Sequence, residues 1–156
     1  RNGMTHDFIL GIDPGPHQSA CVWYEPSSKN VLQFILAPNA DVIDSLQHHA
    51  GSGLLAIEMI ASYGMPVGAD VFNTCVEIGK MIQAWQDRHV KVFRSEVKLH
   101  ICQSMRANDA TIRQALIDRY GGKELAIGLK KTPGPLYGMK GDIWSALAVA
   151  ITAAEQ

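Results

Sequence analysis

The stretch FILGIDPGPHQSACVWYE, Phe8 to Glu25, decides how the chain is read. An apolar run ends in a single acid, Asp13. Pro14, Gly15 and Pro16 turn the chain, and a second apolar run, Ser19–Glu25, follows. Runs of this length, rich in β-branched and aromatic side chains around a Pro/Gly turn, predict two antiparallel strands. The first strand then finishes on a carboxylate, and that ending needs a reason.

Working outward, EPSSKN has turn chemistry, and Asn30–Leu36 reads as the third strand of a meander. Asp41–His49 reads as a short helix stopped by Gly51 and Gly53. Leu54–Ile60, LLAIEMI, is a fourth strand apolar on both faces and therefore buried. Val71, Cys75, Ile78, Ile82 and Trp85 form the stripe of a long amphipathic helix. VKVF, ending at Phe93, is a fifth strand. Asn108 or Asp109 can cap a helix through Tyr120, which Gly121 and Gly122 end. KKTPGPLYGMKG reads as a loop and DIWSALAVAITAA as a buried last helix. The order predicts an α/β domain. Its five-stranded mixed sheet has three antiparallel strands and then parallel ones, flanked by helices.

The 156 residues suit one such domain, and 47% apolar with 19% charged residues suits a folded, soluble chain. No apolar run reaches membrane-span length, so no membrane partner is expected. No signal peptide is visible. Arg1, Asn2 and Gly3 are expected to be a leftover of cloning, with the domain running from Met4 to Gln156. Three cysteines without a C-x-x-C pair argue against a disulfide framework and a cysteine zinc site. The adjacent pair His48-His49 is a poor chelate. A reducing, cytoplasmic location is the simplest expectation.

Net charge is −1, but residues 91–140 hold ten of the 14 basic groups and four of the 15 acids. Such asymmetry builds a positive face for an anionic polymer or, equally, a few solvated helix faces.

Three acids are oddly placed. Asp13 ends the first strand, Glu58 interrupts the apolar fourth, and Asp142 opens the apolar last helix. A buried carboxylate costs several kcal/mol unless it is paired or binds a metal. Each acid has a structural reading too: Asp13 caps the turn, Glu58 pairs with a buried arginine, Asp142 caps its helix with Ser145 at the N3 position. As a set of hard oxygen ligands they favour Mg²⁺ or Mn²⁺ over zinc.

ILGIDPG with its second strand, LLAIEMI, the helix around CVEIGKMI, and KGDIWSALAVAI together resemble RuvC-type Holliday junction resolvases, in that family's order and from roughly Phe8 to Ala153. GIDPG alone is weak, because actin-like ATPases and sugar kinases open similarly. PGPLYG and ANDATIRQALIDRYGG look more like divergent, phage-borne members than the standard bacterial enzyme. The resemblance implies a ribonuclease H-like fold and a metal-dependent endonuclease. It also implies a homodimer that cuts a four-way DNA junction at two symmetric points, in recombination, repair or phage DNA processing in a bacterial or phage-infected cell. Two Mg²⁺ or Mn²⁺ ions, roughly 4 Å apart, would be bridged by Asp13 and held on either side by Glu58 and Asp142. In these resolvases the last helix offers an acid or histidine and, one turn on, an aspartate. Here Ser145 follows Asp142, so either the second ion is looser or Asp109 serves as a fourth acid.

Lys98, Arg106, Arg113, Lys130, Lys131 and Lys140 are the expected phosphate contacts. Tyr63 either stacks on an unpaired base at the branch point or packs in its loop. Gly79 suits a dimer seam or a tight helix–sheet contact. His17 is either near the site or an ordinary surface-turn residue. Two other classes stay open: a ribonuclease H-like nuclease acting on RNA or other branched DNA, and a catalytically weak junction-binding protein. A helicase partner is not legible in the sequence.

Overall fold

The structure is a computed structural model that describes residues 6–49 and 51–156. The expectation about Arg1–Gly3 and a start at Met4 lies outside the described residues. β1 (Phe8–Asp13), β2 (Gln18–Glu25) and β3 (Asn30–Pro38) form the meander. α1 (Asn39–Gln47) leads to β4 (Gly53–Met59), which pairs parallel to β1. α2 (Ala69–Trp85) leads to β5 (His89–Phe93), parallel to β4. The sheet order is β3-β2-β1-β4-β5, the mixed sheet expected, with β1 at its centre. α3 (Arg94–Cys102), α4 (Asp109–Arg119), the single turn α5 (Lys123–Ala126) and α6 (Ile143–Glu155) complete the chain. Among the described residues, no helix is long and apolar enough to cross a membrane.

Strand alternation divides the core into two layers. Leu10, Ile12, Leu55 and Ile57 face α1 and α2, where Val42, Leu46, Ile78, Met81 and Trp85 cover them. Ile9, Leu54, Ala56 and Val92 face the opposite layer, made by α6 with α3 and α4. By the same alternation Asp13 and Glu58, the next positions along that face, emerge at the edge of the α6 layer.

α6 lies directly on β1. A Cβ on Gly11 would collide with the Ala146 carbonyl and with Ala150 Cβ, so only glycine admits this approach. Small residues on both partners thus set where the first turn of α6 falls.

Two sequence readings need correction. The α2 residues that enter the core are Thr74, Ile78, Met81 and Trp85, while Val71, Cys75 and Ile82 are half-buried beside them. The helix is apolar around much of its circumference, so periodicity alone did not fix its rotation. Thr74 can enter because its hydroxyl donates to the Asp70 carbonyl at 2.7 Å. The stretch read as a loop contains a small hairpin, β6 (Gly128–Leu129) with β7 (Thr132–Pro133), and Lys130 and Lys131 are its tip.

Candidate active site

The register of the central strands builds the site. Ile12 pairs with Ile57, so Asp13 and Glu58 leave adjacent parallel strands one step later, on the same face. Both are half-buried. The turn behind Asp13 is held by others. Gly15 N–H donates to Ser19 Oγ at 3.3 Å, Ser19 Oγ donates to Asn39 Oδ1 at 2.7 Å, and Asn39 Nδ2 donates to the Gly15 carbonyl at 2.9 Å. Ser19 and Asn39 are buried. This network fixes the strand tip and takes over the turn-capping role that was one reading of Asp13. Sequence reasoning missed both residues, because a small polar residue near a turn carries no mark of burial.

Asp142 sits at the N-cap position of α6 but makes no side-chain cap hydrogen bond. Its carboxylate is exposed and acts through space on the other two acids. Burial pushes the Asp13 carboxyl up to about 9, helped by the facing Glu58 and by Asp142, with Arg94 opposing. Burial also raises Glu58, against the facing Asp13 and the Arg94 guanidinium. Two carboxyls this close share a proton unless a cation replaces it.

Arg94 is the site residue the sequence concealed among other basic groups. Register places it: Glu58 pairs with Val92 and Met59 with Phe93, so the first residue of α3 falls beside the β4 tip. Its Nη1 lies 3.8 Å from Glu58 Oε1 and donates to Ser145 Oγ at 3.4 Å, while Nη2 pairs with Asp109. The arginine reading of Glu58 is thus realised as an ion pair, yet at that distance it is not a hydrogen bond. Among the described residues, Glu58 Oε1 is buried without a hydrogen-bond partner. Asp109 is exposed and anchors Arg94; Asn108 caps α4, its Oδ1 accepting from Thr111 N–H at 3.0 Å.

The donor set suits a divalent ion. Facing carboxylates, an orphaned buried oxygen and a third acid with an uncommitted side chain fit one such cation. Among the described residues, no three His, Cys, Asp or Glu side chains already converge tightly enough to hold an ion as they stand. The approach to Glu58 from α6 is taken by Arg94 and Ser145, which offer no anionic ligand.

The expected DNA contacts are spread over the layer that carries the site. Lys98 is half-buried on α3, and Arg106 is exposed between α3 and α4. Arg113 on α4 lies 5.2 Å from the centre of the Trp144 ring in the first turn of α6, a cation–π contact beside Asp142 in sequence. Lys130, Lys131 and Lys140 are exposed. Tyr63 is 70% exposed in the turn after β4, so it is not a packed loop aromatic. His17 is an exposed turn residue.

No protein-family model matches the sequence, and no curated protein matches it. Solved structures match its shape. A Thermus thermophilus RuvC structure aligns with a TM-score of 0.66 and 16% identity over 94% of this chain and 93% of that one. T. thermophilus RuvC in complex with Holliday junction substrate aligns with a TM-score of 0.65 and 15% identity over 96% and 93%. At such identity the likeness speaks for the architecture: the chain has a RuvC-like, ribonuclease H-like fold.

Proposed function

We propose that this chain is a divalent-metal-dependent endonuclease that cuts four-way DNA junctions by paired, symmetric incisions. The observation that carries the reading is the meeting of Asp13 and Glu58 at adjacent strand tips, with Asp142 above them, at one end of a RuvC-like fold. A fold gains nothing from such a like-charge contact, whereas metal-assisted phosphodiester cleavage uses one. Asp13, Glu58 and Asp142 would hold Mg²⁺ or Mn²⁺. Bound there, the ion supplies an activated water and charge stabilisation for phosphodiester cleavage. The protein's own part is to keep the carboxylates rigid through Ser19 and Asn39 and to position the backbone through Lys98, Arg106, Arg113, Lys130, Lys131 and Lys140. Tyr63, outward on its turn, is suited to stack on an unpaired base.

Symmetric cuts need two sites, and α2 supports a homodimer. Phe72 and Val76 are 62% and 58% exposed, and Gly79 continues their stripe with open space above it. Open space removes the tight helix–sheet explanation of Gly79. It leaves an apolar, close-approach face suited to a second copy.

One observation favours the binding-only alternative: among the described residues, the acids do not converge into a ready-made cage. Labelled junction, duplex, flap and RNA–DNA hybrid, each with and without Mg²⁺ or Mn²⁺, separate the readings. Junction cleavage in metal, lost in Asp13→Asn with junction binding kept, is the expected outcome. Tight junction binding without cleavage of any branched substrate in Mn²⁺ overturns the enzyme reading, and preferential cleavage of the hybrid moves the substrate to RNA.

A further inference from the structure

Ser145 stands one turn into α6, where a second anionic ligand is expected, and it offers a hydroxyl. The side chain that occupies this quarter is Arg94. Its guanidinium is gripped from three elements: Ser145 Oγ of α6 at 3.4 Å, Glu58 Oε1 of β4 at 3.8 Å, and the carboxylate of Asp109 at the start of α4. A guanidinium stays charged at any working pH, so it is a permanent cation here.

We propose, resting on the nuclease reading above, that Arg94 is a built-in second cation, and that each site takes one divalent ion rather than two. Charge supports this. Arg94 already places a permanent positive charge 3.8 Å from Glu58 Oε1, so a second divalent ion in that quarter would enter against it. Ligand chemistry supports it as well. A hydroxyl that already accepts from a guanidinium is a poor ligand for Mg²⁺, and the one remaining acid, Asp109, is committed to Arg94. The planar fork is also suited to phosphate oxygens, so the same group can meet the negative charge of a phosphodiester on the side away from the ion. Asp109 and Ser145 then act as positioning residues: they hold the fork at the edge of the site and keep it from closing onto Glu58.

Two readouts test this without relying on rate alone. Mn²⁺ is counted on the free protein by electron paramagnetic resonance, and the order of junction cleavage in Mn²⁺ is measured below saturation. The wild type should bind one Mn²⁺ per chain, with cleavage first order in metal. Arg94→Ala should still bind one ion but cleave at least a hundredfold more slowly at saturating Mn²⁺. Arg94→Lys, which keeps a point charge without the fork, should fold, bind one ion and retain part of the activity. Arg94→Ala combined with Ser145→Asp should bind two ions, turn second order in metal and recover cleavage. Two ions per wild-type chain, second-order dependence in the wild type, or unimpaired cleavage by Arg94→Ala overturns the inference and leaves the nuclease reading standing. No bound Mn²⁺ together with no cleavage by the wild type overturns both.

Discussion

The two ends of α6 treat carboxylates in opposite ways. At the C-terminal end Glu155 is met by Arg119, whose Nη1 donates to its two oxygens at 3.0 and 3.1 Å, and by His100 Nε2 at 2.7 Å. Burial works to raise the Glu155 carboxyl, but the hydrogen bonds from His100 and Arg119 and the charge of both outweigh it and hold it below the ordinary range. At the N-terminal end Arg94 is divided between Glu58 and Asp109, and among the described residues Asp13 and Asp142 have no ion pair. Asp13 and Glu58 are both pushed up, and one oxygen of Glu58 is buried with no donor among the described residues. A carboxylate matched by donors is structural. A group of carboxylates left short of donors, on a rigid frame, is the arrangement that the nuclease proposal reads as a cation site.

The largest expected effect breaks the under-satisfied end. Asp13→Asn or Glu58→Gln removes a carboxylate ligand with little change in volume. Junction cleavage should fall by several orders of magnitude, while the melting temperature of the metal-free protein stays level at neutral pH and rises at alkaline pH, where the wild type must ionise a second buried carboxyl. A destabilised fold in either variant would show the acids to be structural, like Glu155.

Next in size is the seam that brings α6 to the site. Gly11→Ala forces a Cβ into the Ala146 carbonyl and Ala150. It should cost about 1–3 kcal/mol in denaturant unfolding and, by displacing Asp142, reduce cleavage more than the stability loss explains. Wild-type cleavage at full occupancy of the folded state would show that Asp142 need not be held in register with Asp13.

The opposite pKa directions give opposite pH dependences. Between 3.8 and about 9 the folded metal-free protein keeps an Asp13 proton that the unfolded chain releases, so this end lowers stability as pH rises. Glu155 contributes stability above the ordinary glutamate range and loses it as pH falls through its depressed value. Thermal melts across pH, with and without Mg²⁺, read both. Added Mg²⁺ should raise the melting temperature most at the alkaline side, where the ion no longer competes with a proton. A metal effect that is flat with pH would place the ion away from Asp13.

The under-satisfied end was legible in the sequence because charge inside an apolar strand is conspicuous: Glu58 within LLAIEMI and Asp13 at the end of FILGID need no coordinates to look out of place. The sheet was legible for a related reason, since strand lengths and turns are local. What stayed hidden depends on direction. Arg94 is one basic residue among ten in its segment until the β4–β5 register aims it at Glu58. Ser19, at a strand start, and Asn39, after a turn, look like ordinary polar residues until their mutual hydrogen bond is seen across 20 positions. Asp109 and Asn108 are both plausible caps, and only geometry gives the cap to one and the arginine to the other.

A smaller effect tests whether binding is separate from the acids. Lys130 and Lys131, at the hairpin tip, should contribute to junction affinity through phosphates. Replacing both with Ala should reduce the log–log salt slope of binding by about 0.9 for each phosphate no longer neutralised, with cleavage at saturating junction unchanged. An unchanged slope would return them to the solvated surface.

The smallest effect concerns the satisfied end itself. Glu155→Gln loses an ion pair whose partners are partly exposed, with Glu155 and Arg119 at 30% and 33%. Exposed pairs are worth at most about 1 kcal/mol, so a loss of that order should appear in unfolding at neutral pH and vanish at a pH where Glu155 is protonated. The metal requirement, cleavage rate and salt slope should all match the wild type, because nothing at this end faces Asp13, Glu58 or Arg94. Equal losses in cleavage and stability would mean that tension at one end of α6 reaches the other through the helix, and the two ends would then have to be treated as one element.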